Sequence, residues 1–293
     1  MTASGVCDVR DSVLVDEDYR TVNRANWDER GPAHAASPGY NVEDFMRDPT
    51  YLSDVVRFDK RLLPDLTGLR VVHQQCHIGT DTLSLARLGA SQVTGLDFSP
   101  DSLTQARRLA ERTGTPITFL EGDVYDAADL LGRERFDLVY TGVGALNWLP
   151  SVQRWAQIVA ALLAPGGRLH IREGHPVLWS LDDTRDDSLL VLEYPYIETV
   201  QPQVWDEPGT YVETDVEFQH TRTLEWNHGL GEIVTALLSA NLRIERLVEH
   251  DSVPWCALPA AMQPIGQGEW RLSDRPERLP HTYTLQASKD GAN

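Results

Sequence analysis

Along the first sixty-odd residues the polar positions dominate, and no alternating strand pattern appears. Val13–Glu29 reads as a polar, weakly amphipathic helix, and Gly31, Pro32, Ser37, Pro38 and Gly39 as a breaker-rich loop. Asn41–Arg47 and Tyr51–Leu63 read as short helices, with Asn41 as an N-cap before Glu43 and Asp44. From Leu69 the pattern changes. Leu69–His73, Gln92–Asp97, Ile117–Leu120, Phe136–Tyr140 and Arg168–Arg172 are short strand-like runs. Between them, Asp81–Leu88, Pro100–Arg112 and Val152–Leu163 carry apolar residues at helical spacing, the last stopped by Pro165-Gly166-Gly167.

Strand–helix alternation of this kind predicts an α/β fold with a parallel sheet covered on both faces. Beyond Glu173 the alternation breaks. Val177–Glu225 reads as an inserted antiparallel ribbon, with Leu189–Leu192 and Tyr211–Phe218 as its strand-like pieces. Leu230–Ala240 is then a helix, and Leu242–His250 and His281–Ala287 are strands. The expected organisation is a helical cap over residues 1–64 and one domain over 65–293, with the ribbon inserted at about 177–225.

Composition narrows the partners. The 293 residues hold 44 acidic and 26 basic side chains, a net charge of -18. A polyanion repels nucleic acid and anionic lipid, so a small molecule is the expected partner. No apolar run reaches the roughly 18 residues of a membrane span. Met1–Arg20 lacks the basic and apolar regions of a secretory signal, so a cytoplasmic location is expected. Cys7, Cys76 and Cys256 are odd in number and far apart, which fits neither a disulfide framework nor a metal knuckle. Asp182, Asp183, Asp186 and Asp187 read as a solvated loop, and no metal is expected.

In an open parallel sheet, ligands bind beyond the carboxyl ends of the strands. The residues there are His73-Gln-Gln-Cys-His-Ile-Gly79, Asp97, Glu121-Gly-Asp123-Val124, Thr141-Gly-Val-Gly-Ala145 and Glu173-Gly-His175. Gly79 and Asp97 lie close to the ~20-residue separation of a glycine turn and a ribose-binding acid. With Gly-Leu-Asp-Phe-Ser at 95–99, Gly-Asp-Val at 122–124, Phe-Asp-Leu-Val-Tyr at 136–140 and Leu-Leu-Ala-Pro-Gly-Gly at 162–167, the chain resembles the class I S-adenosylmethionine-dependent methyltransferases. The resemblance covers 69–173 firmly and 230–287 more loosely.

The resemblance implies a Rossmann-like, seven-stranded, mostly parallel sheet whose last strand is antiparallel, and S-adenosyl-L-methionine as cofactor. It implies that Gly79 and its neighbours pass the methionine part, Asp97 holds the ribose, Asp123 and Val124 hold the adenine, and Thr141, Gly142 and Val143 line the sulfonium side, with Phe98 also among the cofactor contacts. The family's usual pattern has an acid at position 73 and glycines at 75, 77 and 79; here only Gly79 remains. Gln75 or Thr80 is expected to supply a polar contact, and His77 to stack on the cofactor. A dinucleotide enzyme needs all three glycines for the close approach of a pyrophosphate, which His77 obstructs.

Glu173, His175, Tyr19 and His34 are the candidate bases. Trp27, Tyr40, Trp148, Trp226 and His228 are the candidate substrate contacts, with Trp179, Trp205 and Trp255 in segments that reach the same end of the sheet. Aromatic walls suit flat apolar acceptors and attract a sulfonium. The expected activity is methyl transfer to a small aromatic natural product of bacterial secondary metabolism. Its narrower form is methylation at C3 of an indole in a tryptophan-derived cyclic dipeptide. The alternatives are O- or N-methylation of another metabolite, a non-catalytic cofactor-binding protein, and a dehydrogenase. A homodimer is compatible with a ribbon that exposes a sheet edge.

Overall fold

The computed structural model describes residues 18–291. Cys7 and the first residues of the expected 13–29 helix lie outside that range. The first helix, α1, runs Tyr19–Ala36, capped by the Asp18 carboxylate on the Arg20 N–H. It passes straight through Gly31 and Pro32, where the sequence predicts a loop. Pro32 removes one helical N–H, but tertiary contacts hold the turn. Gly31 lies so close to Ser102 that a Cβ there would meet its Oγ at 2.5 Å. Short helices α2 (Val42–Arg47) and α3 (Asp54–Asp59) follow, the latter shorter than expected. Asn41 stands at the N-cap of α2 but makes no side-chain cap bond.

The alternating core then unfolds in order: β1 (Arg70–Gln74), α4 (Thr80–Arg87), β2 (Gln92–Asp97), α5 (Pro100–Thr113), β3 (Thr118–Glu121), α6 (Ala127–Leu131), β4 (Phe136–Thr141), α7 (Val152–Leu162) and β5 (Leu163–Gly174). The start of α5 is legible in its chemistry. Ser99 Oγ accepts from the Ser102 N–H, Pro100 opens the helix, and Gly114 closes it in the left-handed region. In α7, Val152, Trp155, Ala156, Val159 and Leu162 are buried at three- and four-residue spacing. Burying a Val or Leu side chain fully contributes about 1.5–3 kcal/mol, so this face fixes the helix on the sheet.

Four elements follow the fifth strand and frame the ribbon: α8 (Pro176–Trp179), β6 (Gln203–Asp206), β7 (Arg222–Glu225) and α9 (Leu230–Ser239). They are followed by β8 (Leu242–His250), the hairpin β9 (Met262–Gly266) and β10 (Glu269–Leu272), and β11 (Thr282–Lys289). The sheet order is β3-β2-β1-β4-β5-β11-β8, with β11 antiparallel to both of its neighbours. This is the expected seven-stranded arrangement.

Two strand expectations in the ribbon fail. Its antiparallel pair is β6 with β7, whereas 189–192 and 211–218 form no strand beyond a single bridge from Leu181 to Leu192. Leu189, Leu192, Tyr211 and Val216 are all exposed, so their apolar pattern reports no buried face. The β9–β10 hairpin carries no matching sequence expectation. It is anchored by buried Glu269, whose two carboxylate oxygens accept from both terminal nitrogens of Arg172, at 2.9 and 2.8 Å.

Candidate active site

Three residues of the turn after β1 hold left-handed backbone: Gln75 at φ 53°, His77 at 49° and Gly79 at 79°. These are the positions where the family pattern places glycines, so the glycine geometry persists without two of the glycines. A side chain in that region costs about 1–2 kcal/mol. Here the side chains are tied down. Gln75 Nε2 donates to the Ala145 carbonyl at 2.9 Å, and the His77 N–H donates to Asp97 Oδ2 at 2.7 Å. Gly79 has no such freedom, because a Cβ there would stand 2.8 Å from Ala106 Cβ.

The acids lie at the carboxyl ends of the next two strands. Asp97 is buried at the end of β2, and its Oδ1 accepts from the Ser99 N–H at 2.9 Å. Burial outweighs these bonds and pushes its carboxyl up to about 6. Phe98 beside it is half-buried. Asp123 Oδ1 accepts from the Tyr125 N–H at 2.7 Å, its carboxyl also raised by burial, with Val124 buried behind it.

At the switch point, Gln74 of β1 pairs in register with Thr141 of β4. Gln74 Nε2, Gln75 Oε1 and Thr141 Oγ1 are buried and have no hydrogen-bond partner. Orphaned buried polar atoms are costly and mark where a polar ligand belongs. Donor and acceptor together suit the ammonium and carboxylate of an amino-acid tail. Gly142 is buried beside them, facing His73 and Asp81.

Helix α1 lies across the strand ends. At three successive turns it contacts this edge of the sheet. Arg20 Nε meets Asp123 Oδ2 at 2.9 Å, Arg24 Nη2 meets Glu121 Oε1 at 2.7 Å, and Asp28 Oδ1 accepts from Ser99 Oγ at 2.6 Å. Its other face holds the ribbon. Asn23 exchanges two hydrogen bonds with the Leu224 backbone, and Arg30 donates to the carbonyls of Glu207, Gly209 and His220.

Residues 73–169 match the methyltransferase domain family. The chain is 34% identical to a ubiquinone biosynthesis O-methyltransferase of Azorhizobium caulinodans, over 39% of this chain and 43% of that protein. It is 36% identical to an uncharacterized protein of Synechococcus, over 37% of this chain and 26% of that one. The match thus spans less than half the length of these curated relatives. Among solved structures, an S-adenosylmethionine-dependent methyltransferase of Mesorhizobium loti aligns with TM-score 0.57 at 22% identity, covering 81% of this chain and 98% of that one.

Residues 73–169 carry a methyltransferase domain, set in the fold of S-adenosylmethionine-dependent methyltransferases.

Around the turn after β1 of this methyltransferase domain, the structure gathers five of the aromatic and histidine side chains named from the sequence. Trp27 meets His34, His77 and Trp148 edge-on, at centroid distances of 5.8, 5.1 and 5.2 Å. Tyr40 stacks on His34, and its hydroxyl bonds that of Tyr211. Burial holds His34 neutral, its pKa down at about 2, and His77 likewise at about 3. Trp226 and His228 lie apart from this cluster. Trp226 is buried against Tyr19 at 5.4 Å, and His228 Nε2 donates to the Leu149 carbonyl at 2.7 Å. Trp179 stacks on Trp255, and Trp205 meets Tyr194, each away from the cluster.

The four candidate bases differ in what they hold. Glu173 Oε1 accepts from Gly144 N at 2.5 Å and Gly174 N at 2.7 Å; Oε2 accepts from Ala145 N at 2.8 Å and Leu146 N at 2.9 Å. Four backbone donors make it a clamp on the loop after β4. His175 Nδ1 accepts from the Val177 N–H, so Nε2 carries the proton and donates to Glu249. Tyr19 is raised by burial and stays protonated. A fifth group was not singled out by the sequence. Glu225, at the end of β7, accepts from Asn147 Nδ2 at 2.9 Å and Thr223 Oγ1 at 3.0 Å, and burial pushes it up to about 7. Its one sequence signal is an acid at a strand end, directly before Trp226.

Proposed function

We propose that this protein transfers a methyl group from S-adenosylmethionine to a small, uncharged aromatic acceptor held between the strand ends and helix α1. The observation that carries the reading is the left-handed turn at Gln75, His77 and Gly79, set beside Asp97 and the orphaned atoms of Gln74, Gln75 and Thr141. When bound, the cofactor supplies an electrophilic methyl on a sulfonium. Asp97 accepts from the ribose hydroxyls, and Asp123 and Val124 frame the adenine. Glu173 holds the 144–146 loop in shape, and Trp27 and Trp148 exclude water. Glu225 takes the acceptor's proton, being ionised above about 7 where a base is useful.

The narrower reading is methylation at C3 of an indole. The second reading is O-methylation of a phenol, favoured by the names of the curated relatives. Calorimetry with S-adenosylhomocysteine, followed by turnover with labelled cofactor over a panel of indoles and phenols, separates the cases. Binding with label on indole carbon supports the first, and label on phenol oxygen the second. Binding with no transfer to any acceptor supports a non-catalytic binding protein. Absence of binding overturns the whole reading. No helix among the described residues is long and apolar enough to cross a membrane.

A further inference from the structure

Away from the cofactor turn, three side chains from two parts of the chain converge just before and within the first turn of α9. They are His228, Glu232 and, from the segment between α8 and β6, Glu198. One ligand-capable atom from each lies within 4.8 Å of the others. His228 is only 4% exposed. Its Nε2 faces the Leu149 carbonyl, which can only accept, so the ring proton sits there and Nδ1 presents a lone pair. That Nδ1 is buried and makes no hydrogen bond, although Glu232 Oε2 stands 3.4 Å away, itself without a hydrogen-bond partner. Glu232 Oε1 is oriented by the Gln153 amide at 3.1 Å, which leaves Oε2 turned toward the histidine.

Ligand-capable atoms of an imidazole and two carboxylates thus share one small volume. Within it, Nδ1 of His228 and Oε2 of Glu232 face each other without a hydrogen bond, and a cation between them satisfies both. The ring is also prepared as metal ligands are, with its second nitrogen donating to a carbonyl that fixes the tautomer. Ligand atoms about 2.0–2.2 Å from a tetrahedral ion are separated by about 3.4 Å. The present spacing reaches that with small side-chain adjustments.

We infer that Glu198, His228 and Glu232 bind a divalent transition-metal ion such as Zn²⁺. The ion fastens the ribbon segment around Glu198 to the head of α9 and steadies the Glu225–His228 stretch. The site is independent of the methyl-transfer reading, and its test is metal binding and stability, not turnover.

The full chain, stripped with chelator, is titrated with ZnCl₂ by calorimetry, and its melting temperature is followed with and without the ion. One equivalent bound with a raised melting temperature is expected. His228→Gln and Glu198→Gln should each weaken binding at least about tenfold and abolish the thermal shift. Glu198 is half-buried on the ribbon, so its variant keeps the test alive if His228→Gln does not fold. No stoichiometric binding to the stripped chain, or binding unchanged in Glu198→Gln, overturns the site.

Discussion

His34 Nδ1 lies 2.9 Å from His77 Nε2, and this contact joins the end of α1 to the left-handed turn after β1. The other His34 nitrogen reaches Thr210 Oγ1 at 2.7 Å, so the ribbon is tied to the same pair. Both rings are held neutral by burial, at about 2 and about 3. Below the ordinary histidine value of about 6.5, the unfolded chain takes up protons that these native rings refuse. Stability is therefore complete above about 6.5 and lost as pH falls toward 3. Denaturant melts across that range should show His34→Leu with a slope smaller by up to about 1.4 kcal/mol per pH unit. An identical slope in the variant would show that His34 titrates normally.

Asp97→Asn should raise the dissociation constant for S-adenosylhomocysteine by about 1–3 kcal/mol, the range for hydrogen bonds to a charged group. Calorimetry measures it directly. Unchanged affinity would remove Asp97 from the ribose position.

Glu225 and Glu173 should separate cleanly. If Glu225 is the base, turnover rises with pH through about 7, and Glu225→Gln flattens that limb and lowers kcat. Its stability effect has the opposite sign. A buried carboxyl raised to about 7 is fully tolerated while protonated, and stability is lost as pH rises from about 4.5 through 7. Glu173→Gln instead weakens four backbone bonds to the 144–146 loop and to Gly174, lowering stability by about 1–3 kcal/mol while the pH profile keeps its shape. A moved profile in that variant would restore Glu173 to the base role.

Gly79→Ala should cost about 2–4 kcal/mol, from left-handed backbone strain plus the clash with Ala106. Chemical denaturation reads it. A loss under 1 kcal/mol would mean that α5 yields at this contact.

Glu269→Gln leaves the Arg172 guanidinium buried with a neutral partner. A loss of about 3–5 kcal/mol is expected on breaking such a pair. Thermal melts of the variant test it, and a near-neutral effect would show that Phe58, 3.5 Å beneath the guanidinium, suffices.

The alternating core was legible because its signals are local: periodic apolar faces in α5 and α7, and acids at the ends of β2 and β3. What the sequence misjudged depends on distant contacts. Pro32 looks like a break, yet Ser102 and the ribbon keep α1 helical through it. Tyr211 sits in an apolar run that suggests a strand, but it serves as a hydroxyl partner for Tyr40 from a loop. Glu225 is unremarkable beside Trp226 until Asn147, 78 residues earlier, is folded against it.

The bonds from Asn23 to Leu224 join residues 201 positions apart. A chain emerging from the ribosome must therefore complete its sheet through β5 and most of its ribbon before α1 has the second surface it rests on. The cap is first made and late to settle, and until then Trp27 and His34 have not met His77.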